Sequence, residues 1–549
     1  METNDTYTAK EMLDVAIVGG GVSGIYSAWR LMHCDANTSE ILRDWASYRP
    51  DGKLKIGVFE RSSRIGGRLL SLVPPGMPNL RAELGAMHFT SNQMLLRSLV
   101  ENKLHLKTYE FPGNKPENIV YLRGVHLREA DLSNPEKVPY NMHWHELGKS
   151  ASELVVEAIE QIVPGASSIP HSKWHEVKQT AEFDGIKLYK QGFRNLLNRV
   201  MSNEAYEFMR YAGGFDTILS NWNAADAIPW YLSYFGPDAK YIGLVDGFEA
   251  IPLKLSEEFV KAGGEIFLNH DLKSFKQSTL SDNTNGIELC FKNNLTINCR
   301  RLILAMPRRS IELLDRTGPV LDPENVEVHK MIESVTPQPL LKIFLCYENP
   351  WWQARHVSSG KSDTDLPARQ CYYIGTEGDQ PGADKSNRNS LLMASYDDGQ
   401  SLNFWIGMRQ EQMSEEPEYF RPAKTNRFCN PDEGDRQWLN YAPSATIVNE
   451  LQRQLQEIHA LKYIPYPYDA AYRDWGADPF GGAYNLWKIH AKSWEIIPKM
   501  IHPVADVPLY ICGEAYCNNQ GWVDGALQNV ELMLQNHFHL HSPDWLRSL

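Results

Sequence analysis

The chain has 549 residues, of which 42% are hydrophobic and 22% charged, room for about three to four core-sized units at roughly 150 residues each. That excludes a small stapled module and allows a large buried core. The formal charge of −13 sets net repulsion against any polyanion, so no nucleic-acid partner is expected.

The opening Met1 to Asp5 has no basic segment leading into an apolar stretch, and no uncharged apolar run approaches the roughly 18 residues of a membrane span. A cytoplasmic protein without membrane contact is expected. The eight cysteines (Cys34, Cys290, Cys299, Cys346, Cys371, Cys429, Cys512 and Cys517) form no CxxC pair and read as reduced core or loop thiols. His143 and His145 are spaced to share one face of a strand, as are His537, His539 and His541, whereas a helix running through the trio would point its rings apart. Neither group has a cysteine or ligand motif beside it, and no metal site is expected.

Leu13 to Val18 is a short apolar run ending in Gly19, and from Val22 to Met32 small and apolar residues recur with helical spacing, which predicts strand, tight turn and helix. A polar stretch over 33–53 separates this helix from a second strand over 55–60 and reads as an insertion in a βαβ unit. Helical segments near 93–103, 150–163 and 186–211 alternate with Tyr- and Trp-rich loops, where a second domain begins. A helix-like segment from 248 runs into Gly263-Gly264 and two short strands, and Arg301 to Met306 is a strand stopped by Pro307. The first domain therefore resumes, and the two are woven together rather than serial. Residues 341–480 return to strands with polar loops, and the chain closes with a strand at 509–512 and a helix at 523–536.

Gly19-Gly20-Gly21-Val22-Ser23-Gly24 satisfies GxGxxG between strand and helix. There Gly19 allows the turn, Gly21 lets a pyrophosphate approach the backbone, and Gly24 permits close helix packing. The helix N-terminus then turns its unpaired amides to the phosphates. Glu60 ends the second strand, placed to accept from both ribose hydroxyls; it lies 36 positions beyond Gly24, and the polar insertion accounts for the excess over the usual roughly 20. Arg64-Ile65-Gly66-Gly67-Arg68 adds two guanidinium groups and a glycine pair, suited to a second stretch of pyrophosphate or simply to a basic turn. Near the C-terminus, Gly513-Glu514-Ala515 closes a strand and Gln520 to Ala526 opens a helix, a second N-terminus suited to an electron-rich ring edge.

As a set, these motifs with Ala82-Glu83-Leu84-Gly85-Ala86-Met87 and Leu304-Ala305-Met306-Pro307 resemble the FAD-dependent amine oxidase family. Leu366 to Tyr373 and Trp475 to Tyr484 are similar to its L-amino acid oxidase branch. The resemblance runs from about 13 to 536. It implies an α/β Rossmann-like FAD-binding domain (10–90, 240–320 and 485–549) interwoven with an α+β substrate-binding domain that includes a helical part (91–239 and 321–484). A homo-oligomer is expected, with a dimer favoured.

Carried over by resemblance, Glu60 holds the adenosine ribose, Arg68 the pyrophosphate, Glu514 the ribityl-phosphate stretch and Val523 the flavin edge. Gly19, Gly21, Gly24, Arg61, Gly67, Gly85, Ala86, Met87, Gln520, Trp522 and Ala526 complete the cofactor set. Lys342, inside the apolar strand from Leu341 to Leu345, matches the lysine that holds a water near flavin N5; the alternative is an edge-strand lysine reaching for solvent. Tyr372 and Trp522 match aromatic positions beside the flavin, and Gly521 the glycine whose carbonyl accepts from the amine. No cysteine stands at Gly481-Gly482-Ala483, so the resemblance implies non-covalent FAD.

His88 departs from the branch, where arginine clamps the substrate carboxylate, and histidine cannot reproduce that fork. Either His88 makes a single contact, another arginine such as Arg369 takes over, or the substrate has no free carboxylate. The expected reaction is oxidation of the Cα–N bond of an L-amino acid, with dioxygen as the second substrate, giving 2-oxo acid, ammonium and hydrogen peroxide. Phe404, Trp405, Trp475, Tyr484 and Trp487 favour a bulky or aromatic side chain. The rivals are an amine or polyamine oxidase, an amino acid 2-monooxygenase, and a scaffold that holds FAD without turnover.

Overall fold

A computed structural model describes residues 12–34, 39–236, 239–316, 318, 320–408 and 436–546. The opening segment before residue 12, Cys429, and the first and last residues of the expected FAD-binding domain lie outside them.

Strand β1 (Leu13–Val18) is buried along all six residues, as an apolar run must be when helices cover both faces of a parallel sheet. It pairs in parallel with β2 (Ile56–Phe59) on one side and Thr296–Leu304 on the other. Asp14 is the charged residue within β1. Its carboxylate accepts from the Lys55 amide at 2.8 Å and from Arg49 and Arg300 at 3.2 and 3.3 Å, so the strand buries no unpaired charge. The full sheet runs Glu265–Phe267, β2, β1, Thr296–Leu304, Asn285–Phe291, Leu272–Thr279, with Leu509–Ile511 beside Thr296–Leu304. Four stretches of sequence far apart in the chain thus build one sheet.

Helix α1 (Val22–Met32) follows β1 and packs on Ala250–Lys261 and the C-terminal helix Val523–Phe538. One ion pair joins the two ends of the chain. Glu531 accepts from Arg30 at 2.6 Å and from the Tyr26 hydroxyl at 2.7 Å, with both charges buried. A second seven-stranded sheet runs Asp469–Asp474, Leu340–Tyr347, Ser390–Asp398, Gln370–Thr376, Lys361–Thr364, Ile119–Leu122, Val125–Arg128. Helices Ala151–Ile162, Phe193–Val200, Asn203–Ala212 and Ala224–Phe235 form a lobe with its own apolar core.

Several segments differ from the sequence reading, and one of them is Ala445–Ile458, a helix capped by Ser444 inside the stretch expected to hold strands and polar loops. The polar insertion contains a short helix, Glu40–Ser47, capped by Ser39 and burying only Leu42. The segment over 186–211 opens with a short strand, Ile186–Lys187, and continues as two helices, because Met201 leaves helical geometry at φ −139° and Ser202 caps the second through the Ala205 amide. Ala224–Phe235, expected as a Tyr- and Trp-rich loop, is a helix with Pro229 inside it.

Helix Ala151–Ile162 opens with a reciprocal cap: the Ser150 hydroxyl accepts from the Glu153 amide and the Glu153 carboxylate from the Ser150 amide. Ser150→Ala is expected to cost about 1 kcal/mol, read as a lower denaturation midpoint of the helical lobe with unchanged flavin content.

Candidate active site

The glycine loop is shaped by steric need. Gly19 has φ +112°, and a Cβ there would meet the Ala305 carbonyl at 2.4 Å; one on Gly24 would meet the Gly19 carbonyl at 1.9 Å. Close approach of β1, α1 and Thr296–Leu304 therefore requires both glycines. Gly20 donates its amide to Glu60 at 2.7 Å, and the other oxygen of that carboxylate accepts from the Ser62 amide and hydroxyl. Gly67 lies against Gly21, where its Cβ would meet the Gly21 Cα at 3.1 Å. The two glycine turns of the sequence thus form one cradle.

This cradle opens into a cavity of about 540 Å³. Gly19, Gly21, Glu60, Arg61, Gly67, Arg68, Gly85, Ala86 and Met87 line it from the N-terminal half, and Glu514, Gly521, Trp522, Val523 and Ala526 from the C-terminal segment. Gly24 stands behind the wall as a packing glycine, and Gln520 also lies outside it, its side chain donating to the Ala515 carbonyl at 2.6 Å. Arg61 sits half-exposed at the rim beside Asp271.

The two arginines of the basic turn have separate duties. Arg64 lines the cavity but turns to Glu249 at 2.9 Å and the Leu69 carbonyl at 3.1 Å, and so holds the turn. Arg68 donates to Glu514 at 2.8 Å and to the Ala483 carbonyl at 2.7 Å. Glu514 also accepts from the amides of Asn485 and Gly521 and from the Asn485 side chain, at 2.8 to 2.9 Å. One carboxylate thereby ties three distant segments of the wall together.

Lys342 is buried in a central strand, hydrogen-bonded on both sides, so the edge-strand alternative is ruled out. Tyr396, Lys342 and Arg473 stand in one row across the sheet and share the face that lines the cavity. The Lys342 Nζ donates to the carbonyls of Glu83 at 3.0 Å and Gly85 at 2.6 Å and lies 4.9 Å from the Tyr396 ring centre. Burial pushes its pKa down, while the Glu83 carboxylate pulls it back up.

Beyond Lys342 the wall is aromatic: Phe215, Trp230, Phe235, Tyr396, Tyr484 and Trp522. The Tyr484 ring lies against Gly521, which has φ +82°. Tyr372 does not reach this wall; its hydroxyl donates to Gln370 at 3.1 Å, and its ring packs on Phe111 and Tyr396. Of the aromatic residues expected near a bulky side chain, Trp475 and Tyr484 line the cavity, Trp405 and Trp487 are core, and Phe404 lies at the surface. Asp398 is a lining carboxylate the sequence reading missed. It stands two residues from Tyr396 on the same strand face and accepts from the amides of Asp216 and Thr217.

His88 lines the cavity among the rings of Tyr241, Phe111 and Trp522, at 4.6, 5.0 and 5.8 Å between centres. Burial first, then the positive Lys342 and Lys361, lower its pKa to about 3. It is therefore a neutral ring whose buried Nδ1 has no hydrogen-bond partner. Arg369 cannot supply the missing charge: it is 1% exposed, outside the cavity, and held by the Thr364 and Arg210 carbonyls and Asp216.

Away from the cavity, ligand atoms of His143, His145 and Glu146 lie within 4.8 Å of one another. The Glu146 carboxylate already accepts from the amides of His143 and Ser202 and the Ser202 hydroxyl. The C-terminal helix ends at Phe538, with His537 packed on His502 and Tyr510 and His539 in the left-handed region. Among the described residues the cysteines are free thiols, and no helix is long and apolar enough to cross a membrane.

The chain is similar to known proteins along nearly its whole length. Aplysianin-A of Aplysia kurodai is 25% identical, covering 97% of this chain and 92% of its own length. Achacin of Lissachatina fulica is also 25% identical, covering 96% and 93%. The L-amino-acid oxidase of Mus musculus is 22% identical over 72% of this chain and 56% of its own. Among solved structures, a putrescine oxidase redesigned for cofactor binding superposes with a TM-score of 0.63 at 18% identity, covering 95% of this chain and 98% of its own, which establishes the fold. The sequence profile of flavin containing amine oxidoreductases matches residues 22–416 and 425–529. A glycine cradle in which Gly19 and Gly24 leave no room for a Cβ, opening into an aromatic cavity, is the place such a chain needs for its dinucleotide, and the protein belongs to the flavin-containing amine oxidoreductase family, with FAD as its cofactor.

Proposed function

We propose that the protein oxidatively deaminates L-amino acids with bulky side chains, yielding 2-oxo acid, ammonia and hydrogen peroxide. The observation that carries this reading is the continuity of one cavity from the glycine cradle, past Lys342, to the aromatic wall. Similarity to L-amino-acid oxidases supports the choice of substrate class.

When bound, FAD supplies the two-electron oxidation of the Cα–N bond and passes the electrons to dioxygen. Glu60 and the α1 N-terminus would hold its adenosine half, and Arg68, Glu514, Val523 and Ala526 the remainder. No cysteine lines the cavity among the described residues, which supports non-covalent attachment. Tyr484 and Trp522 flank the reacting amine and exclude water. The Gly521 carbonyl accepts from the amine, and the apolar wall favours its neutral form. Lys342 Nζ, fixed by the carbonyls of Glu83 and Gly85 at the cavity wall, would hold a water there.

A second reading, amine or polyamine oxidase, is favoured by the neutral His88 and the lining Asp398, since neither attracts a carboxylate. The test is anaerobic loss of visible flavin absorbance with pooled L-amino acids, D-amino acids, and simple amines and polyamines. The L-amino acid pool alone is expected to bleach the flavin, with peroxide appearing once air is admitted. Bleaching by amines alone would overturn the amino acid reading, an amide product without peroxide would indicate the monooxygenase, and no bleaching would leave the scaffold.

A further inference from the structure

We infer that His143, His145 and Glu146 form a surface site for one divalent cation of the zinc class. The site lies outside the flavin cavity, which none of the three residues lines, and it does not depend on the oxidase reading.

The three residues belong to one turn, closed by the Glu146 amide donating to the His143 carbonyl at 2.9 Å. Their ligand atoms all lie within 4.8 Å of one another. Around a tetrahedral zinc, two imidazole nitrogens and a carboxylate oxygen stand roughly 3.4 Å apart. Both histidines are exposed, so rotation of their side chains can close the set. No metal was expected from the sequence because no ligand motif flanks the histidine pair; a turn, rather than a strand, brings Glu146 to the two rings.

Glu146 is the fixed member. It is 2% exposed, and its carboxylate accepts from the His143 and Ser202 amides at 2.7 Å and from the Ser202 hydroxyl at 2.6 Å. Those bonds favour the charged form and hold it in place. An ionised carboxylate has about four acceptor sites, so one remains for a cation. Lys149, three positions further on, does not compete for it, because it pairs with Glu157.

The rings are the movable members. His33, His105 and His329 each tie a ring nitrogen to a backbone carbonyl, at 2.9, 3.1 and 3.0 Å. Among the described residues no hydrogen bond engages the ring nitrogens of His143 or His145. Their ring centres are 5.6 Å apart, and Trp144 packs edge-on to His145 at 5.5 Å. Two imidazoles beside one carboxylate suit zinc, copper or nickel, whereas calcium and magnesium take oxygen ligands. Three protein ligands leave the remaining coordination position to water. Ser202 also caps the helix Asn203–Ala212 through the Ala205 amide, so a cation on Glu146 ties the turn to the start of that helix.

The experiment titrates zinc chloride into chelator-treated, FAD-loaded protein in a calorimeter, with magnesium chloride as the comparison. One equivalent of zinc is expected to bind, and magnesium is not. His143→Ala and His145→Ala are each expected to weaken zinc binding by about tenfold or more, at least the loss seen when a residue that merely supports a metal ligand is removed. Both variants are expected to keep full flavin absorbance, which shows that they are folded. His539→Ala, a surface histidine outside the site, is expected to bind zinc as the native protein does. Zinc is also expected to raise the unfolding midpoint of the native protein but not that of the two His143 and His145 variants, since a cation held only by the folded chain stabilises it. Absence of a one-equivalent zinc transition, native affinity in both variants, or equal binding of magnesium would overturn the inference. None of these readings uses substrate, so failure of the oxidase reading leaves them unchanged.

Discussion

Gly24→Val is expected to give a protein that purifies almost without yellow colour, its flavin-to-protein ratio reduced about tenfold or more. The reason is local and steric. A Cβ at position 24 would lie 1.9 Å from the Gly19 carbonyl and 3.3 Å from Ala305 Cβ, both fixed parts of the parallel sheet and its first turn. Helix α1 would have to lift from β1, and overpacking of this kind costs about 1 to 3 kcal/mol before any binding is counted. The same displacement moves the unpaired amides at the helix N-terminus, which lose the orientation an anionic diphosphate requires. A loss of about 1.4 kcal/mol in binding alone is tenfold in occupancy near the dissociation constant. Gly113→Val is the matched control, because a Cβ there meets nothing within 4 Å. Absorbance at the protein and flavin bands of both purified variants checks the result. A Gly24→Val protein as yellow as the control would show that the cradle does not hold the dinucleotide.

The nucleotide end of the site was legible because its residues are constrained by backbone geometry. Gly19 and Gly24 are required by contacts under 2.5 Å, and Glu60 by its place at the end of a strand. The lysine was legible for a related reason: a charge inside Leu340–Tyr347 contradicts its apolar neighbours and needs a cause. Asp398 carried the same signal in Ser390–Asp398 but stood at the strand end, where polar residues are ordinary.

The aromatic wall was harder to read because position along a strand does not fix the face presented. Tyr372 and Tyr484 are both tyrosines in strands rich in apolar residues. Register irregularities between Gln370 and Tyr372 and between Tyr373 and Gly375 break the simple alternation, and Tyr372 ends behind the wall. Arg369 failed as a substitute clamp for a tertiary reason. Its partner Asp216 belongs to the segment between two helices of the lobe and is 153 positions away, a pairing no local pattern contains. The helix Ala224–Phe235 was hidden by Pro229, whose cost is offset where its neighbours bury nine of twelve side chains.

His88→Arg is expected to raise kcat/KM for L-amino acids by about 10- to 100-fold, through KM more than kcat. A guanidinium pairs a carboxylate through two parallel hydrogen bonds, and charged hydrogen bonds contribute about 1.5 to 3 kcal/mol, which is the range of that gain. The surroundings can accept the longer side chain. Phe111, Tyr241 and Trp522 offer ring faces on which a planar cation packs, and the position lines the cavity at Gly85-Ala86-Met87. The opposing cost is a third positive charge near Lys342 and Lys361, although Lys361 is paired with Asp363 at 2.9 Å. Because a carboxylate binds alike in ground and transition states, the effect falls on KM. The amine rival gives the opposite pattern. If native protein oxidises amines and His88→Arg loses that turnover without gaining any on amino acids, the neutral ring is the feature that selects a head group without a carboxylate. Initial rates of peroxide release from both proteins, over a range of amino acid and amine concentrations, separate the two.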